Sequence, residues 1–274
     1  MTQRGNFVGL VALPFETTTD FQKGTKAAPN AIIADLTSID TFDLSFGWDP
    51  FTTVANRFYR PYEEHLDDPY LEKAYAERAV CDILDDGGFP LSLGGEHTVS
   101  LGPIRAVRTR GHLGVVQIDA QANLKDHVDG QYYHHETVMR RILEMGCPIV
   151  GVGIRSVSEE EAAFIKDNGI PIIDGKRTAK TKNWYSIVDP LPDRVYLTID
   201  LSGINPKAAP AVAHPIPGGP NYPKLLDFIA YLFKTKNVVG ADIVELTPGD
   251  RDKTTLRLTS RLITALVALK YPSF

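Results

Sequence analysis

Residues 113–123 read LGVVQIDAQAN and residues 194–202 read RVYLTIDLS, and these two stretches decide the fold prediction. In each, a continuous apolar run of the kind found in strands buried on both faces ends in a carboxylate, Asp119 or Asp200. Polar residues follow at a spacing of two, which places them on one face of an extended chain and makes each strand end a possible metal-binding cluster. The other polar residues of the two clusters carry no charge: Gln121, Asn123 and Ser202.

Further apolar runs of strand length alternate with amphipathic stretches of helical length. The predicted strands are residues 7–13, 89–93, 113–119, 148–153, 170–173, 194–200 and 238–245, with an eighth near 41–45. The predicted helices are residues 69–86, 98–108, 136–145, 158–168, 223–234 and 254–269. Such alternation predicts an α/β fold, a three-layer αβα sandwich with a mostly parallel sheet of about eight strands. Because no linker or repeat interrupts the pattern, we expect one domain over residues 1–274.

Composition limits the possible partners. The chain of 274 residues has a net charge of −5 and a pI near 5.8, which argues against nucleic acid or an anionic membrane as the main partner. No apolar run approaches the ~20 residues that span a bilayer, and no signal peptide is recognisable at the N-terminus. Cys81 and Cys147 lie in apolar sequence, so we expect both to be buried thiols in a reducing cytoplasm.

Parallel sheets bind ligands at the carboxyl ends of their strands, and unusual polar residues occur at those ends. His97 follows a strand and a glycine turn, and Glu245 ends the last strand. His97 could instead cap the next helix, and Glu245 could form a local salt bridge. Asp119 and Asp200 are the stronger candidates, because a carboxylate at the end of an apolar strand is costly to bury unless it is paired or binds a cation.

The loop between Lys125 and His135 is rich in histidine and tyrosine. A histidine there could shuttle protons to a leaving amine. It could equally be a surface loop with solvated histidines, and the sequence alone leaves both interpretations open. No P-loop, dinucleotide-binding glycine motif or Cys/His zinc motif is present.

Several segments, in chain order, resemble the ureohydrolases, the family of arginase, agmatinase and formimidoylglutamase. The matching segments are FETTT at 15–19, KGTKAAPNAI at 23–32, GGEHT at 94–98, VGVGIRS at 150–156, DLSGINP at 200–206 and DIVE at 242–245. The resemblance covers nearly the whole chain and implies the arginase-like fold. It also implies a homo-oligomer, a trimer or a hexamer, and a small guanidino or amine ligand.

The resemblance assigns roles to individual residues. In the family, two Mn²⁺ ions share a hydroxide that attacks a guanidinium carbon. His97, Asp119 and Asp200 fall on metal-ligand positions, and Asp119 would also contribute to catalysis. His135 falls on the proton-shuttle histidine and Glu245 on the guanidinium-binding glutamate, with Asn123 beside the substrate. Three ligand positions are substituted: Gln121 stands where the family has His, and Asn123 and Ser202 stand where it has Asp.

These departures predict a weakened metal centre. Four positive charges of two divalent ions would face two carboxylates instead of four, and neutral ligands bind Mn²⁺ more weakly. We therefore expect at most one weakly bound Mn²⁺ or other divalent ion per chain. The alternative is a metal-free site in which Lys125 or a bound amine or guanidinium balances the carboxylates. The resulting hypothesis is a pseudoenzyme or a small-ligand-binding, regulatory protein. The alternatives are an agmatinase- or arginase-like hydrolase of a guanidino or amidino substrate, and a structural subunit.

Overall fold

One sheet of eight strands organises the protein. The computed structural model describes residues 6–60, 69–180, 184–249 and 253–272. Within these ranges every neighbouring pair of strands is parallel, and the strand order is β2-β1-β3-β8-β7-β4-β5-β6. The strands are β1 (Phe7–Leu13), β2 (Ala55–Tyr59), β3 (Phe89–Gly94), β4 (Gly114–Ile118), β5 (Ile149–Ile154), β6 (Ile172–Asp174), β7 (Arg194–Asp200) and β8 (Asn237–Val244).

Helices cover both faces of this sheet. They are α1 (Ala28–Leu36), α2 (Pro50–Thr53), α3 (Pro69–Asp85), α4 (Leu101–Arg108), α5 (Val138–Glu144), α6 (Glu159–Asp167), α7 (Gly175–Lys180), α8 (Tyr222–Thr235) and α9 (Thr254–Lys270). One apolar core joins the sheet to α1, α8 and α9, and a second core joins the opposite face to α3, α4 and α5. The predicted three-layer αβα sandwich is therefore confirmed. No helix in the described ranges is both long and apolar enough to cross a membrane.

Two predictions of local structure were wrong. The eighth strand is not near residues 41–45, where Asp43 forms only an isolated bridge with Trp48; it is the edge strand β2. The side chains of β2 are mostly exposed, so the apolar pattern that marks a buried strand is missing there. Cys147 is buried as predicted, but Cys81 is only partly buried, and both thiols are free.

The strand order brings distant parts of the sequence to one edge of the sheet. The four central strands β3, β8, β7 and β4 are neighbours, and their carboxyl ends carry His97, Glu245, Asp200 and Asp119. The six predicted helices are all present, and α6 begins with a capping box between Ser158 and Glu161. The single domain over residues 1–274 stays a prediction.

The loops behind this edge are tied together by the guanidinium of Arg155, directly after β5. It donates hydrogen bonds to the carbonyl oxygens of Gly153 (2.9 Å), Ser202 (2.7 Å) and Ile216 (2.7 Å). Further carbonyls of residues 203, 204 and 217 lie within hydrogen-bond distance. A single side chain thus joins the end of β5, the turn after β7 and the loop at residues 216–217.

We expect the substitution Arg155→Ala to lower the free energy of unfolding by about 3 kcal/mol or more, because several partly buried carbonyls would lose their donor. The matched control is Arg105→Ala, which removes a half-exposed arginine paired with Glu77 at 3.3 Å. Such a surface pair contributes about 1 kcal/mol or less. Urea denaturation of both variants measures the difference, and equal losses would show that the Arg155 bonds do not hold the loops.

Candidate metal and ligand site

A glycine turn places His97 over the end of the sheet. Strand β3 ends at Gly94, and a Cβ atom on Gly95 would lie 2.1 Å from the carbonyl oxygen of Phe15, so only glycine fits there. The backbone N–H of His97 donates to Oε1 of Glu245 at 2.7 Å. This bond links the turn after β3 to the end of β8.

The three predicted residual metal ligands lie together. His97 Nδ1 is 3.2 Å from Asp119 Oδ2 and 3.5 Å from Asp200 Oδ2, and all three side chains are buried. The other ring nitrogen, Nε2, lies 2.9 Å from the hydroxyl of Thr198, which fixes the orientation of the ring. Since one donor atom from each residue lies within 4.8 Å of the others, His97, Asp119 and Asp200 form a group that could hold one metal ion. We call it the inherited triad.

Neutral donors surround the carboxylate of Asp119. Besides His97, four neutral groups donate hydrogen bonds to it: Gln117 Nε2 (2.9 Å), Asn123 Nδ2 (2.8 Å), Gln121 N (2.9 Å) and Ser202 Oγ (3.1 Å). Asn123 and Ser202, which the resemblance predicts to be substituted ligand positions, therefore donate to Asp119 through their side chains. A half-turn of the Asn123 amide would exchange Nδ2 for Oδ1, the atom that a cation would bind.

The protein groups of the cluster partly neutralise one another. Burial alone would lower the pKa of His97, but hydrogen bonds and the charges of Asp119 and Asp200 raise that pKa well above its ordinary value. Burial opposes ionisation of Asp119 as well, yet the hydrogen bond and charge of His97 hold its pKa below the usual range. Burial and then the charge of Asp119 raise the pKa of Asp200. A metal ion would have to displace a proton from His97 in order to bind there.

Two residues beside the inherited triad have strained backbones and unpartnered oxygens. Asn123 has φ 55° and Glu245 has φ 69°, in the left-handed region that residues other than glycine rarely adopt. Such strain concentrates at functional sites. Oδ1 of Asn123 and Oε2 of Glu245 are buried and have no hydrogen-bond partner. Burial, followed by the charges of Asp200 and Glu96, raises the pKa of Glu245 well above its usual value.

His135 is held by the segment that follows β1. Thr18 Oγ1 lies 3.0 Å from Nδ1 of His135 and 2.8 Å from Oε1 of Glu96. Glu96 also accepts hydrogen bonds from the backbone N–H of Thr17 and Thr18, both at 2.7 Å. Burial, then the neighbouring charges of His134 and His214, lowers the pKa of His135 to about 3. Its imidazole is therefore neutral at physiological pH.

The other candidates of the loop at residues 125–135 form local contacts. Lys125 Nζ pairs with Glu136 at 2.8 Å, so Lys125 is not the counter-charge of the carboxylates at the strand ends. His127 pairs with Asp126 at the surface, at 3.0 Å, and the ring of His134 caps the turn that follows it. Among these histidines, His135 is the one that the fold brings beside the turn after β3.

Sequence reasoning missed several residues of the site. Gln117 could have been found, because it lies two residues before Asp119 on the same face of β4. Thr18 and Asp20 lie in the segment after β1 and His214 lies 194 residues after Asp20, so no spacing rule connects them. In the structure Asp20 Oδ1 is 2.8 Å from His214 Nε2, and the ring centroids of His214 and His135 are 5.4 Å apart.

Comparison with known proteins supports the same architecture. The chain is 34% identical over 249 residues to N(1)-aminopropylagmatine ureohydrolase from Synechocystis, covering 88% of this chain and 81% of that protein. It is 28% identical to agmatinase from Pyrococcus horikoshii, covering 88% and 84%. The crystal structure of agmatine ureohydrolase from Thermoplasma volcanium superposes with a TM-score of 0.87 at 28% identity, covering 97% and 90% of the two chains. Since the model of the arginase family also matches residues 6–268, this chain belongs to the arginase family.

Proposed function

We propose that this protein binds a small guanidinium- or amine-bearing ligand at the strand-end site, and that it acts as a pseudoenzyme or regulatory protein rather than as a two-metal hydrolase. The observation that carries the proposal is Oε2 of Glu245, a buried oxygen without a hydrogen-bond partner; Oδ1 of Asn123, which contacts the same inherited triad, is similarly unpartnered. A buried polar atom left unpaired costs about 1–3 kcal/mol, so a ligand with several N–H donors would be stabilised there.

The chemistry of a guanidinium suits these atoms. It offers five N–H donors in one plane and a charge that a carboxylate can pair with, often through two parallel hydrogen bonds. A bound cation would also favour the ionised form of Glu245, whose pKa is raised by burial. The names of the similar proteins, agmatinase and N(1)-aminopropylagmatine ureohydrolase, denote guanidino substrates. Since water does not reach the two oxygens, a ligand enters only after a local opening, which reduces its apparent affinity.

The donor set argues against a pair of metal ions. Two divalent ions would share Asp119 and Asp200, and a second ion would otherwise depend on the neutral side chains of Gln121 and Ser202. The Ser202 hydroxyl is already committed as a donor to Asp119. Without a second ion, a bridging hydroxide loses one of the two positive centres that activate it.

A second candidate function is hydrolysis of a guanidino substrate with one metal ion. It is favoured by the convergence of His97, Asp119 and Asp200, since a single ion can still lower the pKa of bound water. In this proposal the inherited triad would hold the ion and His135 would transfer protons. The proposal also includes a homo-oligomer, which rests on the resemblance to the family, and a cytoplasmic location, which rests on the sequence.

The ligand proposal predicts that agmatine binds and that Glu245→Gln weakens binding by at least about tenfold, because the ligand loses a charge-assisted hydrogen bond. Isothermal titration calorimetry measures both affinities. The control variant Glu77→Gln removes a carboxylate that pairs with Arg105 at the surface and leaves binding unchanged. Absence of binding by the unmodified protein would contradict the proposal. Urea release from agmatine in the presence of Mn²⁺ would favour the second candidate.

The metal proposal predicts at most one Mn²⁺ per chain after loading and desalting, measured by elemental analysis. The variant that combines Gln121→His, Asn123→Asp and Ser202→Asp should retain two, because it restores the ligands that the family has at these positions. Asp200→Asn serves as the control and should abolish binding of the single ion if that ion lies at the inherited triad. Two Mn²⁺ ions in the unmodified protein, both lost in Asp200→Asn, would overturn the argument from charge and restore two-metal hydrolysis as the leading function.

A further inference from the structure

A second cluster of metal-binding side chains lies outside the inherited triad. Asp20, His135 and His214 each offer one donor atom, and the three atoms lie within 4.8 Å of one another. Asp20 Oδ1 and His214 Nε2 are 2.8 Å apart, within hydrogen-bond distance, so these two atoms would have to separate slightly to become ligands of one ion. The imidazoles of His135 and His214 are nearly parallel, with ring centroids 5.4 Å apart and an angle of 24°.

Hydrogen bonding around Thr18 determines which nitrogen of His135 is available. The Thr18 hydroxyl has one proton, and it donates this proton to Oε1 of Glu96 at 2.8 Å. Thr18 Oγ1 must then accept from Nδ1 of His135, which lies 3.0 Å away, and from the backbone N–H of His135. His135 therefore carries its proton on Nδ1. The lone pair of Nε2 is left free, buried and without a partner.

This is the arrangement of a histidine prepared to bind a metal. Ligating imidazoles almost always donate their second ring N–H to a neighbouring acceptor, which fixes the tautomer and the orientation of the ring. Here the Thr18–Glu96 pair provides that acceptor, and the turn after β3 holds Glu96 in place. If His135 only packed against its neighbours, its buried nitrogen without a partner would reduce the stability of the fold by about 1–3 kcal/mol and nothing would compensate for the loss.

We propose that Asp20, His135 and His214 bind one divalent transition-metal ion, of which Zn²⁺ is the best match. Two imidazoles and one carboxylate are a ligand set that Zn²⁺ prefers, whereas Mg²⁺ and Ca²⁺ prefer oxygen ligands alone. Asp20 reaches solvent, with 69% of its side chain exposed, so an ion can approach from the surface. Three protein ligands leave a fourth tetrahedral position open to water or to a donor atom of a small molecule.

This ion would be separate from any ion at the inherited triad. None of its three ligands is shared with His97, Asp119 and Asp200. The inference is also independent of the proposed guanidino ligand, which depends on Glu245 and Asn123. If agmatine does not bind, the proposed Zn²⁺ site is unaffected. If Zn²⁺ does not bind, the proposed binding of a guanidino ligand is unaffected.

The test is a titration of the chelator-stripped and desalted protein with Zn²⁺ in competition with a chromophoric chelator, with Co²⁺ absorption reporting the coordination geometry. We expect one Zn²⁺ per chain, and we expect His214→Asn to weaken binding by more than about tenfold, since even the outer partners of a ligand are worth 10–100-fold in affinity. Asp20→Asn replaces an exposed ligand, retains the fold and should weaken binding in the same direction.

Two control variants make the outcome specific. His127→Asn removes a surface histidine that is likewise 3.0 Å from a carboxylate, Asp126, and it should leave Zn²⁺ affinity unchanged. His97→Asn removes a ligand of the inherited triad and should also leave this affinity unchanged. The proposal is overturned if the unmodified protein binds no Zn²⁺, if His214→Asn and Asp20→Asn bind as tightly as the unmodified protein, or if His97→Asn abolishes binding.

Discussion

Burial of the Asp119 carboxylate is the constraint on which the rest of the site depends. An ionised carboxylate in a protein interior carries a penalty of several kcal/mol unless charge and hydrogen bonds compensate for it. A metal ion, a protonated imidazole or a set of neutral donors can provide that compensation. In this protein His97 provides the charge and Gln117, Asn123, Gln121 and Ser202 provide the hydrogen bonds.

The order of the strands is what turns separate sequence motifs into one site. The strand ends that bear His97, Glu245, Asp200 and Asp119 are far apart in the chain, and they meet because β3, β8, β7 and β4 are neighbours. Arg155 then fixes the turn after β7 by binding its carbonyl oxygens. The side chain of Ser202 in that turn can therefore reach Asp119. The hydrogen bonds that hold the loops thus also help to stabilise the buried carboxylate.

Sequence patterns predicted the parts of the fold whose residues are periodic and buried. Seven strands and six helices were found in this way, because apolar runs and amphipathic repeats directly reflect burial on a sheet or a helix face. Strand β2 was missed because its side chains are mostly exposed. Helices α1, α2 and α7 were also missed, since their nine, four and six residues allow little periodicity.

The residues of the site likewise divide into those that a sequence pattern can predict and those that it cannot. Asp119, Asp200 and His97 were predicted to converge because parallel strands share a carboxyl edge, a rule that needs no knowledge of the loops. Asp20 and His214 lie in loops separated by 194 residues, and their contact follows only from the three-dimensional path of the chain. The tautomer of His135 likewise depends on a hydroxyl that is 117 residues away.

The substitutions that the resemblance predicts at positions 121, 123 and 202 also change how much positive charge the buried carboxylates need from bound ions. With Asp at positions 123 and 202, four buried carboxylates on two strand ends, with only His97 as a cation, would repel one another until metal ions were supplied. Asn123 and Ser202 reduce that repulsion, and each donates a hydrogen bond to the carboxylate of Asp119. The present arrangement compensates for its buried charge from within the protein. Hydrogen bonds from neutral side chains therefore give Asp119 a stabilisation of the kind that a bound ion would otherwise provide.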